Sequence, residues 1–157
     1  MPTHSLIPVT LLESPSFQLE RLRRRTREEV EDALAERRTT LREYWVLTCL
    51  ISATASSQSA LSEALAIDAS DMVRLIDALE ERGWAKRERD AQDRRRQIVA
   101  VTKKGQKAHG DLVDLVTEAE DRALDASTNK QLKHLRKLAS SILAAEEEAA
   151  GEDPAQP

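Results

Sequence analysis

The sequence predicts a mainly α-helical fold of six helices with a small β-hairpin, and three observations support this prediction. Proline is absent between Pro15 and Pro154, in a chain of 157 residues rich in the helix-favouring residues Ala, Leu, Glu and Arg. Apolar residues recur at three- and four-residue spacing in several segments. Directly after Gly83, two short strand-like segments flank a polar turn, which is typical of a hairpin.

The N-terminal part is predicted to contain an arm followed by two helices. Residues 1–15 carry three prolines and no clear periodicity, so we interpret them as an arm. The first helix is predicted from about Phe17 to Arg38, with Ser16 as its N-cap. The second helix is predicted from about Leu41 to Ala53, where aromatic and aliphatic residues follow helical spacing.

Two shorter helices are predicted next, and together they form a helix-turn-helix. The third helix should cover about Gln58–Leu65, led by Ser57 or Ser59. The fourth should cover about Ala69–Arg82, and Gly83 supplies the left-handed residue that commonly ends a helix.

The fourth helix has one apolar and one polar face. Asp68 is its predicted N-cap, and Asp71 can act as the acidic partner of a capping box. The apolar residues that should face the core are Met72, Leu75, Ile76 and Leu79. The residues left on the outer face are Ser70, Asp71, Arg74 and Asp77.

The hairpin concentrates positive charge in an otherwise acidic chain. Its strands are predicted at about 84–89 and 97–101, joined by the turn 90–96. Between Trp84 and Lys107, nine lysines and arginines stand against three acids, a net charge of +6, whereas the whole chain carries −4 and the remainder therefore −10. Positive charge gathered at one place is typical of a surface that binds a polyanion.

The C-terminal part is predicted to form two long helices. Thr102 opens the fifth helix, which should run to about Ala126, and Thr128 with Gln131 forms a capping box for the sixth, which should end near Ala149. The apolar stripe of the sixth helix consists of Leu132, Leu135, Leu138, Ile142 and Leu143. Residues 150–157 are expected to be a disordered tail.

Several protein classes are not supported by the sequence. The longest apolar run, near 46–53, is too short to span a bilayer, and no signal-peptide pattern begins the chain. Cys49 has no second cysteine to pair with, and we expect a buried, inert thiol. The histidines His4, His109 and His134 are interpreted as surface residues, because no metal-ligand spacing connects them. We therefore expect a cytoplasmic protein with no enzymatic activity, no cofactor and no metal site.

The charge and the two-helix pattern together favour binding to double-stranded DNA. Arg74 can donate two hydrogen bonds to guanine, and Ser70 can bond a phosphate or a base. An arginine at the hairpin tip suits the electronegative minor groove, and Asp93 could neutralise one of the three tip arginines. Lys103 and Lys104 lie where the dipole of the fifth helix disfavours cations, which favours a role with phosphates.

A series of short motifs follows in order between Leu61 and Gly105. They are Leu61-Ser62-Glu63-Ala64-Leu65, Asp68-Ala69-Ser70, Arg74-Leu75-Ile76-Asp77-Ala78-Leu79-Glu80-Glu81-Arg82-Gly83, Asp90-Ala91-Gln92-Asp93-Arg94-Arg95 and Val99-Ala100-Val101-Thr102-Lys103-Lys104-Gly105. This series resembles the winged-helix domain of the MarR (multiple-antibiotic-resistance regulator) family. The acidic wing with two arginines and the Thr-x-x-Gly after it are the most specific motifs, and the helical layout extends the resemblance to roughly Phe17–Ala149.

The resemblance implies a homodimeric transcription factor, in most cases a repressor, that binds a palindromic DNA operator. The implied domains are a winged helix-turn-helix at 39–102, with a two- to three-stranded wing, and dimerisation helices at 16–38 and 103–149. The first, fifth and sixth helices also carry apolar stripes that a monomer would leave partly uncovered. The candidate DNA-binding residues are Ser59, Ser70, Asp71, Arg74, Asp93, Arg94, Arg95, Arg96, Lys103 and Lys104.

Three positions depart from the pattern of the family. Asp71 stands where a neutral hydroxyl residue is frequent, and Val73 stands where a small polar residue is frequent. Asp71 would repel phosphates unless it caps the helix or accepts from a cytosine amine. Trp84 replaces an aliphatic residue, and we interpret it as a packing residue.

The resemblance also implies a small aromatic or anionic effector. The residues that could line its cleft are Arg23, Arg38, Arg42, Tyr44 and Trp45, although the two aromatic residues could instead belong to the core and the arginines to the solvated surface. A different class of function stays open as well. The same fold could be a protein-interaction module that presents its basic wing to an acidic partner.

Overall fold

The computed structural model describes residues 6–53 and 55–151, and the chain divides into two compact units, Met1–Ala123 and Leu124–Pro157. The helices of the described residues are α1 (Val9–Leu12), α2 (Pro15–Ala35), α3 (Leu41–Ala53), α4 (Gln58–Leu65), α5 (Ala69–Glu81), α6 (Lys103–Ala123) and α7 (Asn129–Gly151). The strands are β1 (Ala55–Ser56), β2 (Ala85–Arg89) and β3 (Gln97–Val101). The mainly α-helical fold with a winged helix-turn-helix is confirmed.

The wing is a three-stranded antiparallel sheet in the order β1-β3-β2. In the hairpin, Arg87 lies opposite Val99 and Arg89 lies opposite Gln97. The short strand β1 adds to the other edge of β3, where Ser56 lies opposite Val99. Because β1 lies between α3 and α4 in the chain, its pairing with β3 attaches that segment to the wing.

The core of the first unit lies between α2, α3, α5 and α6. Its buried side chains include Leu34, Val46, Leu47, Leu50, Met72, Ile76, Leu79, Leu112 and Val116. Truncating one such leucine to alanine typically costs about 2–5 kcal/mol. At the end of α6, Arg25 of α2 donates a hydrogen bond to the Ala123 carbonyl at 2.6 Å, a favourable place for a cation on a helix dipole.

The N-terminal predictions need three corrections. The arm contains the four-residue helix α1, which is too short to show periodicity, and residues 1–5 of the predicted arm lie outside the described part. The next helix starts at Pro15, with Ser14 rather than Ser16 at the N-cap position, because proline suits the first helical position. It ends at Ala35, since Arg38 adopts a left-handed φ of 52° in the turn that follows.

The boundaries of α3 and α4 are confirmed as predicted, and α5 ends one residue earlier than expected. Ser57 caps α4 by accepting a hydrogen bond from the Ala60 amide at 3.2 Å. After α5, Gly83 has φ 71° and its amide donates to the Glu80 carbonyl at 2.8 Å, while the Trp84 amide donates to Leu79 at 2.9 Å. This pair of bonds is a Schellman motif, so the predicted stop at Gly83 is confirmed.

The Thr-x-x-Gly motif, Thr102 to Gly105, fixes the start of α6 against the residues that precede the wing. The Thr102 hydroxyl accepts from the Gly105 amide at 3.0 Å and donates to the Gly83 carbonyl at 2.5 Å. A Cβ at Gly105 would lie 2.9 Å from the carbonyl carbon of Trp84 and closer still to its oxygen. Only glycine therefore fits at this junction.

The start of α3 is tied to the end of α5 by an ion pair that the sequence analysis missed. Thr40 and Glu43 form a reciprocal capping box, with both hydrogen bonds at 3.2 Å. The buried Glu43 carboxylate also pairs with Arg82 at 3.1 Å, and the Arg82 guanidinium lies over the Trp84 ring at 4.9 Å. The interpretation of Trp84 as a packing residue is confirmed.

The second unit contains α7. Its predicted capping box is confirmed, because the Thr128 amide donates to Gln131 at 2.8 Å and the Gln131 amide donates back to the Thr128 hydroxyl at 3.2 Å. The preceding helix ends at Ala123 rather than Ala126, and α7 extends to Gly151. The rest of the predicted tail, 152–157, lies outside the described residues. Among the described helices, none is both long enough and apolar enough to cross a membrane.

Candidate nucleic-acid interface

The outward side of α5 forms what we call the recognition face, composed of Ser70, Asp71 and Arg74. Asp68 caps the helix by accepting from the amides of Ser70 and Asp71, each at 3.0 Å, and from the Ser70 hydroxyl at 2.6 Å. These hydrogen bonds, led by the one from the Ser70 side chain, lower the pKa of Asp68. The carboxylate at the start of α5 therefore stays charged, which suits the positive end of the helix dipole.

Asp71 does not act in the capping box that we predicted. Its carboxylate lies 3.3 Å from the Arg42 guanidinium of α3 and 3.5 Å from the guanidinium of Arg74. The Arg74 side chain is 79% exposed, so most of its donors face solvent. The recognition face thus presents an accessible arginine beside a carboxylate whose charge is balanced by two cations.

The tip of the wing, residues 90–96, presents three exposed arginines, Arg94, Arg95 and Arg96. Within the described part of the chain, none of their guanidiniums lies in an ion pair. Asp93 shapes the turn instead of neutralising one of them, as its side chain accepts from the Arg95 amide at 3.0 Å and its carbonyl accepts from the Arg96 amide at 2.9 Å. The tip arginines are therefore free to meet an external anion.

The base of the wing is attached to α5 through Arg87. Its guanidinium lies 2.7 Å from the Asp77 carboxylate and 3.1 Å from that of Glu80, and Glu80 also accepts from the Arg87 amide at 2.9 Å. Only 21% of the Arg87 side chain is exposed. Lys86 likewise pairs with Glu88 at 3.3 Å. The Lys86–Glu88 pair is already included in the charge count of the segment, whereas Arg87 is neutralised by carboxylates of α5 that lie outside it, and these contacts fix the wing beside α5.

The other candidate DNA-binding residues flank these two features. Lys103 and Lys104 are exposed in the first turn of α6. Ser59 is exposed in the first turn of α4, where its hydroxyl lies 3.3 Å from the cap hydroxyl of Ser57.

A cleft of about 180 Å³ lies between α2, α3 and α6. Its lining residues are Arg23, Thr26, Arg27, Val30, Leu41, Trp45 and Glu120. It contains two of the five residues predicted for an effector site, Arg23 and Trp45, and its other lining residues were not identified from the sequence. Arg23 also pairs with Glu20 at 3.1 Å.

The remaining three predicted effector residues do not line this cleft. Arg42 contacts Asp71 at 3.3 Å on the recognition face. Arg38 lies in the turn after α2, where its carbonyl accepts a hydrogen bond from Arg82. The Tyr44 ring stacks on His109 of α6, with 5.6 Å between the ring centroids.

His109 is therefore not the surface histidine that we expected. Its Nε2 lies 2.9 Å from the Thr48 hydroxyl, which donates its own proton to the Tyr44 carbonyl at 2.8 Å. The Nε2 atom must then carry the proton in this contact. Burial lowers the pKa of His109, so the ring is held neutral.

The half-buried Cys49 thiol has a raised pKa because burial disfavours the thiolate. The expected burial is therefore only partial, and the inert thiol stays a prediction. Among the residues that the structure describes, no three His, Cys, Asp or Glu side chains are grouped so that they could hold a metal ion.

Helices α4 and α5, the three-stranded wing and the junction at Gly105 define a winged helix-turn-helix protein. The sequence model of the MarR family matches residues 39–96, which contain all of α4 and α5 and the wing tip. The matched segment is therefore a winged helix-turn-helix domain of the MarR type. Proteins of this family are transcription regulators rather than enzymes.

Solved structures resemble this chain over most of its length. CouR from Rhodococcus jostii RHA1, solved bound to p-coumaroyl-CoA, is 28% identical, with a TM-score of 0.75 over 86% of this chain and 95% of CouR. A MarR-family transcriptional regulator from Rhodococcus sp. RHA1 is 27% identical, with a TM-score of 0.75 over 83% of this chain and 95% of its own. A mutant of MarR from E. coli, complexed with operator DNA, shares the fold at 19% identity, with a TM-score of 0.73 over 87% and 99% of the two chains.

Proposed function

We propose that this chain is a homodimeric transcriptional regulator that binds a palindromic double-stranded operator and represses transcription until a small ligand releases it. One observation carries the proposal: three arginines at the wing tip make no ion pair with any described residue, and they lie on a sheet that Arg87 attaches to α5. A hairpin with free guanidiniums suits phosphate binding, and the outward helix face beside it suits the major groove.

The residues proposed for DNA contact divide by chemistry. Arg74, exposed on the recognition face, is suited to a guanine edge, and Ser70 to a nearby phosphate or base. Arg95 at the wing tip is proposed for the minor groove, with Arg94 and Arg96 beside it on phosphates. Lys103, Lys104 and Ser59 are proposed as additional backbone contacts.

Dimerisation is proposed through apolar side chains that each unit leaves exposed by itself. On α2, Leu19 is 60% exposed and Leu22 is also accessible. On α7, Leu138, Ile142 and Leu143 are each more than half exposed. Apolar faces of this kind are typical of a protein interface. A twofold dimer would place two winged helices on two half-sites of a palindrome.

The proposed effector site is the cleft lined by Arg23, Arg27 and Trp45. Two guanidiniums next to an indole, against one lining carboxylate from Glu120, suit a carboxylate or another anion joined to a flat apolar group. The CouR structure with p-coumaroyl-CoA supports an aromatic, anionic ligand class for this chain. The proposal includes neither an enzymatic activity nor a cofactor, and it places the protein in the cytoplasm.

The proposal is tested by selecting bound sequences from a random duplex pool and titrating the selected fragment at several salt concentrations. We expect a palindromic sequence whose affinity falls steeply as salt rises, because several phosphates are neutralised. Random duplex should bind much more weakly at the same salt. Weak binding that is flat across salt and equal for both duplexes would instead favour the protein-interaction module. Light scattering at micromolar concentration checks the dimer, and a monomer would contradict it.

A further inference from the structure

Arg42 of α3 contacts the recognition face instead of lining the effector cleft. It is the second residue of α3, and its guanidinium reaches across to the Asp71 carboxylate at 3.3 Å. The effector cleft is lined instead by Arg23, Arg27 and Trp45. Arg42 thus belongs structurally with α5, although the sequence separates it from Asp71 by 29 residues.

Asp71 joins two guanidiniums through its two carboxylate oxygens. One oxygen faces Arg42 at 3.3 Å, and the other faces Arg74 at 3.5 Å. The cluster carries a net positive charge, so the repulsion that Asp71 would exert on a phosphate is offset. The carboxylate also lies within ion-pair distance of Arg74, whose side chain is 79% exposed.

The Arg42–Asp71 pair contributes little to folding. Its two side chains are 46% and 36% exposed, and ion pairs at such exposure are weak because water screens them. Arg42 also lies in the first turn of α3, where the helix dipole disfavours a cation. A cation in that place, with weak structural benefit, is expected to serve an external anion.

We propose that Arg42 contacts a DNA phosphate and that Asp71 is a positioning residue that aims Arg74 at a base edge. The inference rests on the proposed function and adds a residue and a division of roles to it. One guanidinium N–H group of Arg42 bonds Asp71, and the remaining donors of this half-exposed side chain are left to bind a phosphate. Arg74 then reads the base while Asp71 limits its movement.

The test compares the wild-type chain with Arg42→Ala, Asp71→Asn and the double variant, using the selected operator fragment and a random duplex at several salt concentrations. Arg42→Ala should weaken operator binding about tenfold and reduce the steepness of the salt dependence by about one released ion per protomer. Asp71→Asn should strengthen binding to random duplex, because a negative charge is lost. It should also lower the operator-to-random preference about tenfold, because Arg74 is no longer held. The change in binding free energy of the double variant should be smaller than the sum of the changes of the two single variants, because the two residues act as a pair.

Two controls separate binding from folding. Arg24→Ala removes an exposed arginine of α2 that pairs with Glu28 at 2.9 Å, and it should leave both affinities unchanged. Arg42→Lys retains a cation and should keep the wild-type salt dependence even if the preference changes. The melting temperatures of all variants should match the wild-type value closely.

The outcomes distinguish the two levels of the proposal. If wild type binds the operator with steep salt dependence but Arg42→Ala and Asp71→Asn keep its affinity and preference within twofold, the inference is overturned and the proposed function stands. If wild type itself shows no salt-dependent duplex binding, both are overturned.

Discussion

The arginines at the base and at the tip of the wing differ in what they contact, although the sequence presents them as one basic segment. Arg87 at the base is largely buried and pairs with two carboxylates of α5. Arg94, Arg95 and Arg96 at the tip are exposed, and no ion pair involves them in the described part of the chain. A count of charges along a sequence therefore does not separate the arginines that hold the wing in place from those that are exposed on its surface.

The largest loss of folding stability at the base of the wing is expected from a substitution of Gly105. Gly105→Ala places a Cβ against the Trp84 carbonyl and should destabilise the fold by about 3 kcal/mol or more. Gly110→Ala, on the same helix, meets no atom within 4 Å and should stabilise the protein by about 0.5–1 kcal/mol. Denaturant unfolding of both variants measures the contrast, and equal effects would show that the Gly105 junction is not tightly packed.

The second-largest effect on stability is expected at the Glu43–Arg82 ion pair, which connects the start of α3 to the end of α5. Arg82→Ala leaves the buried Glu43 carboxylate without its partner at 3.1 Å and removes the guanidinium from the Trp84 ring. Uncompensated buried charge is costly, so we expect a loss of about 3 kcal/mol in the free energy of unfolding. Arg37→Ala, an exposed neighbour in the turn before α3, should change it by less than about 0.5 kcal/mol. A small effect of Arg82→Ala would mean that water replaces the guanidinium.

Substituting one arginine at the base and one at the tip of the wing separates their two roles. Arg95→Ala should weaken operator binding by about 1–3 kcal/mol and leave the melting temperature unchanged. Arg87→Ala should weaken binding and also lower stability by about 1 kcal/mol, because two carboxylates of α5 lose their partner. A gel-shift titration and a thermal melt of each variant decide this. If Arg95→Ala binds like wild type, Arg95 is not a contact residue.

The smallest expected effect is the pH dependence at His109. Burial lowers the pKa of this ring below its ordinary value of 6.5, so the unfolded chain takes up the proton first as pH falls. The stability that comes from the neutral ring is complete above about pH 6.5 and is lost as pH falls toward the lower pKa of the folded state. His109→Gln keeps a donor for Thr48 without the titration, so its melting temperature should fall less between pH 7 and pH 5. Parallel melting curves would contradict this prediction.

Local signals account for the parts of the fold that could be predicted. Asp68 and Thr128 were identified as caps, and Ser57 as one of two candidates, because capping depends on residues only two or three positions apart. Gly83 was identified as a stop for the same reason. The helix α1 was missed because four residues are too few for a periodic pattern.

The side-chain pairs that connect distant elements could not be predicted. Arg42 and Asp71 are 29 residues apart, and Thr48 and His109 are 61 residues apart. Periodicity shows which face of a helix is apolar, but it does not show which residue of another helix lies opposite. The Thr40-x-x-Glu43 capping box was present in the sequence and was overlooked, whereas the pairing of Glu43 with Arg82 required the packed structure.

The most direct test of the account measures how the affinity for the selected operator depends on salt in wild type and in a variant with Arg94, Arg95 and Arg96 all changed to alanine. If the tip binds DNA, the logarithmic slope of affinity against salt should become shallower by about 4 for a dimer, since several phosphate contacts are lost. The melting temperature should stay unchanged, because these side chains make no ion pair among the described residues. An unchanged slope in a folded variant would mean that the arginines of the wing tip do not bind DNA.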